Sequence, residues 1–224
     1  LKIAKETLIN VFNLGMKEVE NLQKTSTNIP IEMLVATDAS FDAPEQSETF
    51  KRLLEYNFAY WRDTKKATER LTTYEEIRAL AKNIEQWRKT MYEPGMNLIL
   101  NTNLVTRNKL FLEKAKARLE KIEQELRRLG QENKIDLASA GKLLTDAKEN
   151  LDSSETFGKE ATITLLSIIQ QTPLGSNWRN NVNEQLLNKR KTTDQHIRRL
   201  TGKSIGKLRA TYEKFIELSE AVSN

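Results

Sequence analysis

Residues 105–129 read VTRNKLFLEKAKARLEKIEQELRRL. Val105, Asn108, Leu112, Ala115, Leu119, Ile122, Leu126 and Leu129 recur at alternating steps of three and four. That spacing keeps one stripe of a helix facing a partner, so it predicts a heptad seam of about 25 residues, roughly 38 Å long. Gly130 follows as the expected helix stop. Glu123 and Arg127 form a favourably oriented pair one turn apart on the outer surface. Asn101 and Asn108 fall on the seam itself, where a polar side chain costs stability but fixes register.

The same periodicity extends outward in both directions. Leu1, Ala4, Leu8, Val11, Gly15 and Leu22 share a face of a first helix, which Asn28-Ile29-Pro30 interrupts. Residues 36–47 read as the longest irregular loop, and a second helix starts near Ser47. That helix carries Phe50, Leu54, Phe58 and Trp61 on one face and Leu53, Tyr56 and Tyr60 on another. Thr73-Tyr74-Glu75-Glu76 has the capping-box pattern, and Ile77, Leu80, Ile84, Trp87 and Met91 follow in phase. Glu93-Pro94-Gly95 predicts the end of that helix.

Beyond the seam, Asp136 caps a helix bearing Leu137, Ala140, Leu144, Ala147 and Leu151, with a break expected at Asp152-Ser153-Ser154-Glu155. Phe157, Ala161, Leu165 and Ile168 mark the next helix, and 172–176 reads as a turn. The last periodic stretch runs from Trp178 to Val222 with a soft point at Gly202. Sustained alternation and hairpin dipeptides are both missing. The fold class predicted is all-α: an elongated antiparallel helical bundle with coiled-coil-like seams and about seven helices. It forms one domain over 1–224, with a subdivision near 130–136.

Composition narrows the chemistry. The 224 residues include no Cys and a single His, His196. Disulfide scaffolds, thiolate metal sites and cysteine nucleophiles are thereby excluded, and His-dependent catalysis is disfavoured. No Glu-x-x-His pair or Gly-x-Ser-x-Gly elbow occurs. Gly202-Lys203-Ser204 resembles the end of a phosphate loop, but Ile197 stands where that motif needs glycine. Asp38, Ser40 and Asp42 have calcium-loop spacing, but Ala43 and Thr49 replace the required Gly and Glu. The expectation is a non-enzyme without cofactor or metal.

Two constellations remain. Tyr56, Tyr60 and Trp61, with Trp87, read either as a helix packed on two sides or as a groove for a ligand or partner. The net charge of +5 resides in 177–224, where 10 basic side chains face 5 acidic ones. Lys191, Arg198, Arg199, Lys203 and Lys207 form the candidate anion-binding set, Arg199, Lys203 and Lys207 being spaced by four. Aromatic interleaving is missing between Lys189 and Arg209, so an anionic surface suits the segment better than nucleic acid.

No run approaches the roughly 20 apolar residues of a membrane span. The chain opens at Leu1 without Met and reads as a trimmed fragment from which an anchor, signal or tag is missing. Trp87-Arg88-Lys89-Thr90-Met91-Tyr92-Glu93-Pro94, followed by Ala117-Arg118-Leu119-Glu120-Lys121-Ile122, resembles a pattern in uncharacterised, membrane-anchored helical proteins of candidate-phylum bacteria, over about residues 74–130. The resemblance implies a cell-envelope location and carries over no functional residue. The expected role is a non-catalytic structural or interaction module, extracytoplasmic and working through a protein partner or self-association. A sensory, ligand-binding bundle and an anionic-surface binder through 189–209 are the alternatives.

Overall fold

A computed structural model describes residues 1–26, 34, 43–131, 137–171 and 184–223. Among them only residue 1 and residues 70–73 lie outside helix, so the protein is all-α. The elements are α1 (Lys2–Ser26), α2 (Ala43–Glu69), α3 (Tyr74–Trp87), a π-helical turn (Arg88–Tyr92), α4 (Glu93–Gln131), α5 (Leu137–Gln171) and α6 (Glu184–Ser223). The expected turns at 28–30 and 172–176 and the Asp38–Asp42 spacing lie outside the described residues.

Among the described residues helix runs in five unbroken stretches, fewer than the sequence suggests, because the expected interruptions are bridged. At Glu93-Pro94-Gly95 the helix widens instead of ending. Pro94 has no N–H to give, and in a regular helix its ring would meet the carbonyl four residues back. The π turn relieves this, and the Glu93 amide bonds five residues back to the Arg88 carbonyl. At Asp152–Glu155 the helix continues because Ser154, fully buried, sends its hydroxyl to the Ser204 carbonyl at 2.8 Å. That cross-helix partner replaces the local bond that would have competed with helix. Gly202 is exposed within α6, whose buried neighbours Leu200, Thr201 and Ser204 hold the helix through it. The helix of the seam likewise includes Gly130, and α2 begins at Ala43 instead of Ser47.

The chain divides into two compact units, residues 1–103 with 168–194 and residues 104–167 with 195–224. In the first, α1 and α2 pack antiparallel. Lys5 Nζ donates to the Glu69 carbonyl at 3.1 Å and Lys65 Nζ to Asn13 Oδ1 at 2.8 Å. Just beyond the second rung Gly15 is buried against the Trp61 indole. The Thr73 hydroxyl accepts from the Glu76 amide, and the Glu76 carboxylate accepts from the Thr73 amide, which starts α3 as the capping box predicts. Gly95 lets α4 approach α2, since a Cβ there would lie 3.0 Å from Leu53 Cδ2.

In the second unit α5 runs antiparallel to α4 and α6. Leu112, Ala115, Leu151 and Leu208 form one core cluster, with Leu119 and Tyr212 packed on it. Leu126, Ala140 and Leu218 form another, with Ile122, Leu143, Leu144 and Val222 around it. Val105, Asn108, Leu112, Ala115, Leu126 and Leu129 of the predicted seam are buried. Between the clusters and the start of the unit lies a polar layer. Asn108 Nδ2 donates to Ser204 Oγ at 2.9 Å, and the hydroxyls of Ser154 and Ser204 reach each other's carbonyls at 2.8 Å. Gly158 completes the layer, where a Cβ would lie 3.0 Å from Leu112 Cδ1.

Candidate functional site

The aromatic residues of α2 and α3 converge in the first unit. Tyr60 stacks on Trp87 with ring centroids 3.7 Å apart and planes at 14°. Trp61 meets Trp87 edge-on at 4.8 Å and Tyr92 at 5.2 Å, and Phe12 closes the cluster at 5.9 Å from Trp61. Trp61 is 1% exposed and Trp87 7%. Their indoles therefore belong to the core of this unit. Tyr56 and Tyr60 are half-buried and line an open hollow of about 330 Å³ with Ala59, Asp63, Thr64, Ala67 and Leu80. The hollow exists because Ala59 and Ala67 leave room between the larger side chains.

Tyr92 and Glu18 complete the cluster and escape sequence reasoning. Tyr92 Oη donates to Glu18 Oε2 at 2.7 Å. Burial, then the adjacent Glu18 carboxylate, pushes the phenol above its ordinary range. Tyr92 follows Trp87 by five residues, out of phase with a regular helical stripe. Only the π turn brings it back onto the buried face.

The basic segment of α6 divides. Lys191, Arg198, Arg199, Lys203 and Lys207 are all exposed. Arg199 Nη2 lies 2.9 Å from His196 Nδ1, and His196 Nε2 lies 3.5 Å from Glu160 Oε1. Lys203 sits over the Phe157 ring, 5.2 Å from its centroid, and Lys207 Nζ donates to Asn150 Oδ1 at 3.1 Å. Contacts with α5 thus occupy part of this stripe. Arg190 behaves differently from its basic neighbours: Arg190 Nη2 donates to the Pro94 carbonyl at 3.1 Å. Desolvation lowers its guanidinium to about 10, against the opposing pull of Asp194. Asp194, buried, accepts from Asn101 Nδ2 at 2.7 Å. The one acid within the basic run therefore serves the interior.

Among the described residues no group of three or more His, Asp or Glu side chains could hold a metal ion. No described helix is long and apolar enough to cross a membrane. Comparison with protein-family models, with curated proteins and with solved structures gives no match.

Proposed function

We propose that this chain is a non-catalytic interaction module, the extracytoplasmic helical domain of a membrane-anchored envelope protein, built of antiparallel helices with coiled-coil seams. The observation that carries this reading is where buried polar groups go. Asn101 and Asp194 bond to each other, as do Asn108, Ser154 and Ser204. Buried Thr68, Thr102, Thr162, Thr201 and Thr211 return their hydroxyls to carbonyls one turn back. The cross-helix bonds hold register between helices, the threonine hydroxyls are satisfied within their own helices, and the named groups do not converge on an open cavity. Uniform helical patterning supports the structural role, and the resemblance over residues 74–130 supports the envelope location. Fractionation of cells producing the full-length gene product tests it: the product should sediment with membranes and be cut by external protease. Recovery in the soluble cytosolic fraction overturns it. The expected partners are proteins or further copies of the chain, which sedimentation analysis across a wide concentration range would register.

A second reading, a ligand-sensing bundle, is favoured by the Tyr56–Tyr60 hollow lying against the Tyr60–Trp87 stack. A small aromatic or cationic compound bound there should change Trp87 fluorescence through that stack. A compound screen without any shift in fluorescence or thermal midpoint would remove this reading.

A further inference from the structure

The strongest unassigned surface lies on the outer side of α4. Arg107, Phe111, Lys114, Arg118 and Lys121 follow one another at steps of four, three, four and three, so they form one stripe about 21 Å long. All five side chains are exposed. Phe111 is 51% exposed, an unusual position for a large aromatic side chain in a unit that buries Phe215 and the leucines of its seam. Lys114 Nζ lies 6.0 Å from the Phe111 ring centroid. Among the described residues none of the four cations is in an ion pair. Glu113 and Glu120 fall about 120–140° around the helix from this stripe, and Glu125, which is in phase one turn beyond Lys121, is paired with Arg128 at 2.6 Å.

We infer that this face docks on an anionic lipid surface, with the four cations among the headgroups and Phe111 inserted between them. Charge complementarity selects an anionic partner and excludes a second copy meeting the same face, since like charges would oppose. The single apolar side chain among five positions is too little for a helix–helix seam, which needs apolar residues at both heptad positions. A strand of nucleic acid is held in a groove with several stacking aromatics. This face is the convex side of one helix with one aromatic. A flat interface meets such a stripe along its length, and a ring flanked by Lys and Arg suits the boundary between headgroups and acyl chains. The inference concerns a different helix face from the basic segment of α6 and stands apart from the envelope reading.

Vesicle co-sedimentation of the 224-residue chain tests it. Vesicles of phosphatidylcholine with about 30% phosphatidylglycerol should bind the chain, and pure phosphatidylcholine vesicles should not. Binding should weaken at least about tenfold as salt rises to about 0.5 M. Lys114→Glu with Arg118→Glu should weaken it at least about tenfold, since each basic side chain near such a surface is worth about fivefold. Lys114→Gln with Arg118→Gln should give a smaller loss in the same direction, with the helical circular dichroism unchanged in both. Phe111→Ala should weaken binding without altering its salt dependence. Lys203→Glu with Lys207→Glu should leave it within about twofold. Equal binding to both vesicle types, no binding, insensitivity to the α4 variants, or binding to a single-stranded oligonucleotide but not to vesicles would each overturn the proposal.

Discussion

Gly15 of α1 lies so close to Trp61 of α2 that a Cβ on the glycine would sit 2.5 Å from Trp61 Cε2. The glycine is required by that approach, with the indole taking the space a side chain would fill. Trp61 is in turn wedged against Trp87 and Tyr92, so it has little freedom to retreat. Gly15→Ala is therefore expected to destabilise the chain by about 1–3 kcal/mol, the usual cost of overpacking a filled core. Gly141→Ala and Gly202→Ala give the contrast: both positions are helical and exposed, with nothing near the added methyl. Each should stabilise by about 0.5–1 kcal/mol through backbone entropy alone. Urea melts of the three variants separate the cases, and a neutral Gly15→Ala would show that the indole can move.

The layer of Asn108, Ser154 and Ser204 predicts non-additive energetics. Ser204→Ala removes the acceptor of Asn108 Nδ2 and the donor to the Ser154 carbonyl together. Buried groups left unpaired cost about 1–3 kcal/mol, so this single change should fall in that range. Ser154→Ala removes the reciprocal donor to the Ser204 carbonyl. Because the two hydroxyls also touch each other at 2.8 Å, the double variant should cost less than the two single changes together, by about 0.5 kcal/mol or more. Strict additivity in chemical denaturation would mean that the layer does not act as a unit.

Legibility in the sequence followed the range of the interactions involved. The apolar stripe at 105–129 and the capping box at Thr73 are local patterns: the structure forms the box and buries six of the eight stripe positions, with Leu119 and Ile122 partly buried. Asn108 could be read as a register residue because its phase was plain. Its partner Ser204 could not, lying 96 residues away. Continuation through Asp152–Glu155 depends on that same distant serine, so local composition suggested a break. Tyr92 was hidden by the π turn, which changes the phase between Trp87 and the residues after it. The α4 stripe was hidden by arithmetic. Residues 1–176 hold 26 charges of each sign, and counting by segment cancels Lys114 and Arg118 against Glu113 and Glu120. Those acids sit on another side of the helix, so only the geometry separates them. Arg190 and Asp194 show the reverse, counted as part of a surface run although packing draws them inward.

The Tyr92–Glu18 pair predicts an alkaline limit to stability. In the folded chain burial holds the phenol protonated above its ordinary pKa of 10.0. The unfolded chain releases that proton near pH 10, so above this pH the folded state binds more protons than the unfolded state. The contribution is complete below pH 10 and declines as pH rises from there toward the folded-state pKa. Tyr92→Phe should therefore flatten the loss of thermal midpoint across that alkaline window. At neutral pH it should cost about 1 kcal/mol for the lost hydrogen bond to Glu18. An unchanged alkaline slope would assign the decline to other tyrosines or lysines.

Adjacent residues on α4 make the sharpest test of which face is inside. Leu112 is 4% exposed and packs with Ala115, Leu151 and Leu208, whereas Phe111 beside it is 51% exposed. Leu112→Ala should cost about 2–5 kcal/mol, because the lost burial is compounded by a cavity that α5 and α6 cannot collapse into fully. Phe111→Ala removes a larger side chain yet should change stability by only about 0.5 kcal/mol or less. The inequality depends on the seam burying one phase of the helix and leaving the other to solvent. If Phe111→Ala proved as damaging as Leu112→Ala, the aromatic ring would be covered in solution and unavailable to a lipid surface. A small effect together with weaker vesicle binding would assign the ring to the interface, since stability and binding are then lost at separate positions.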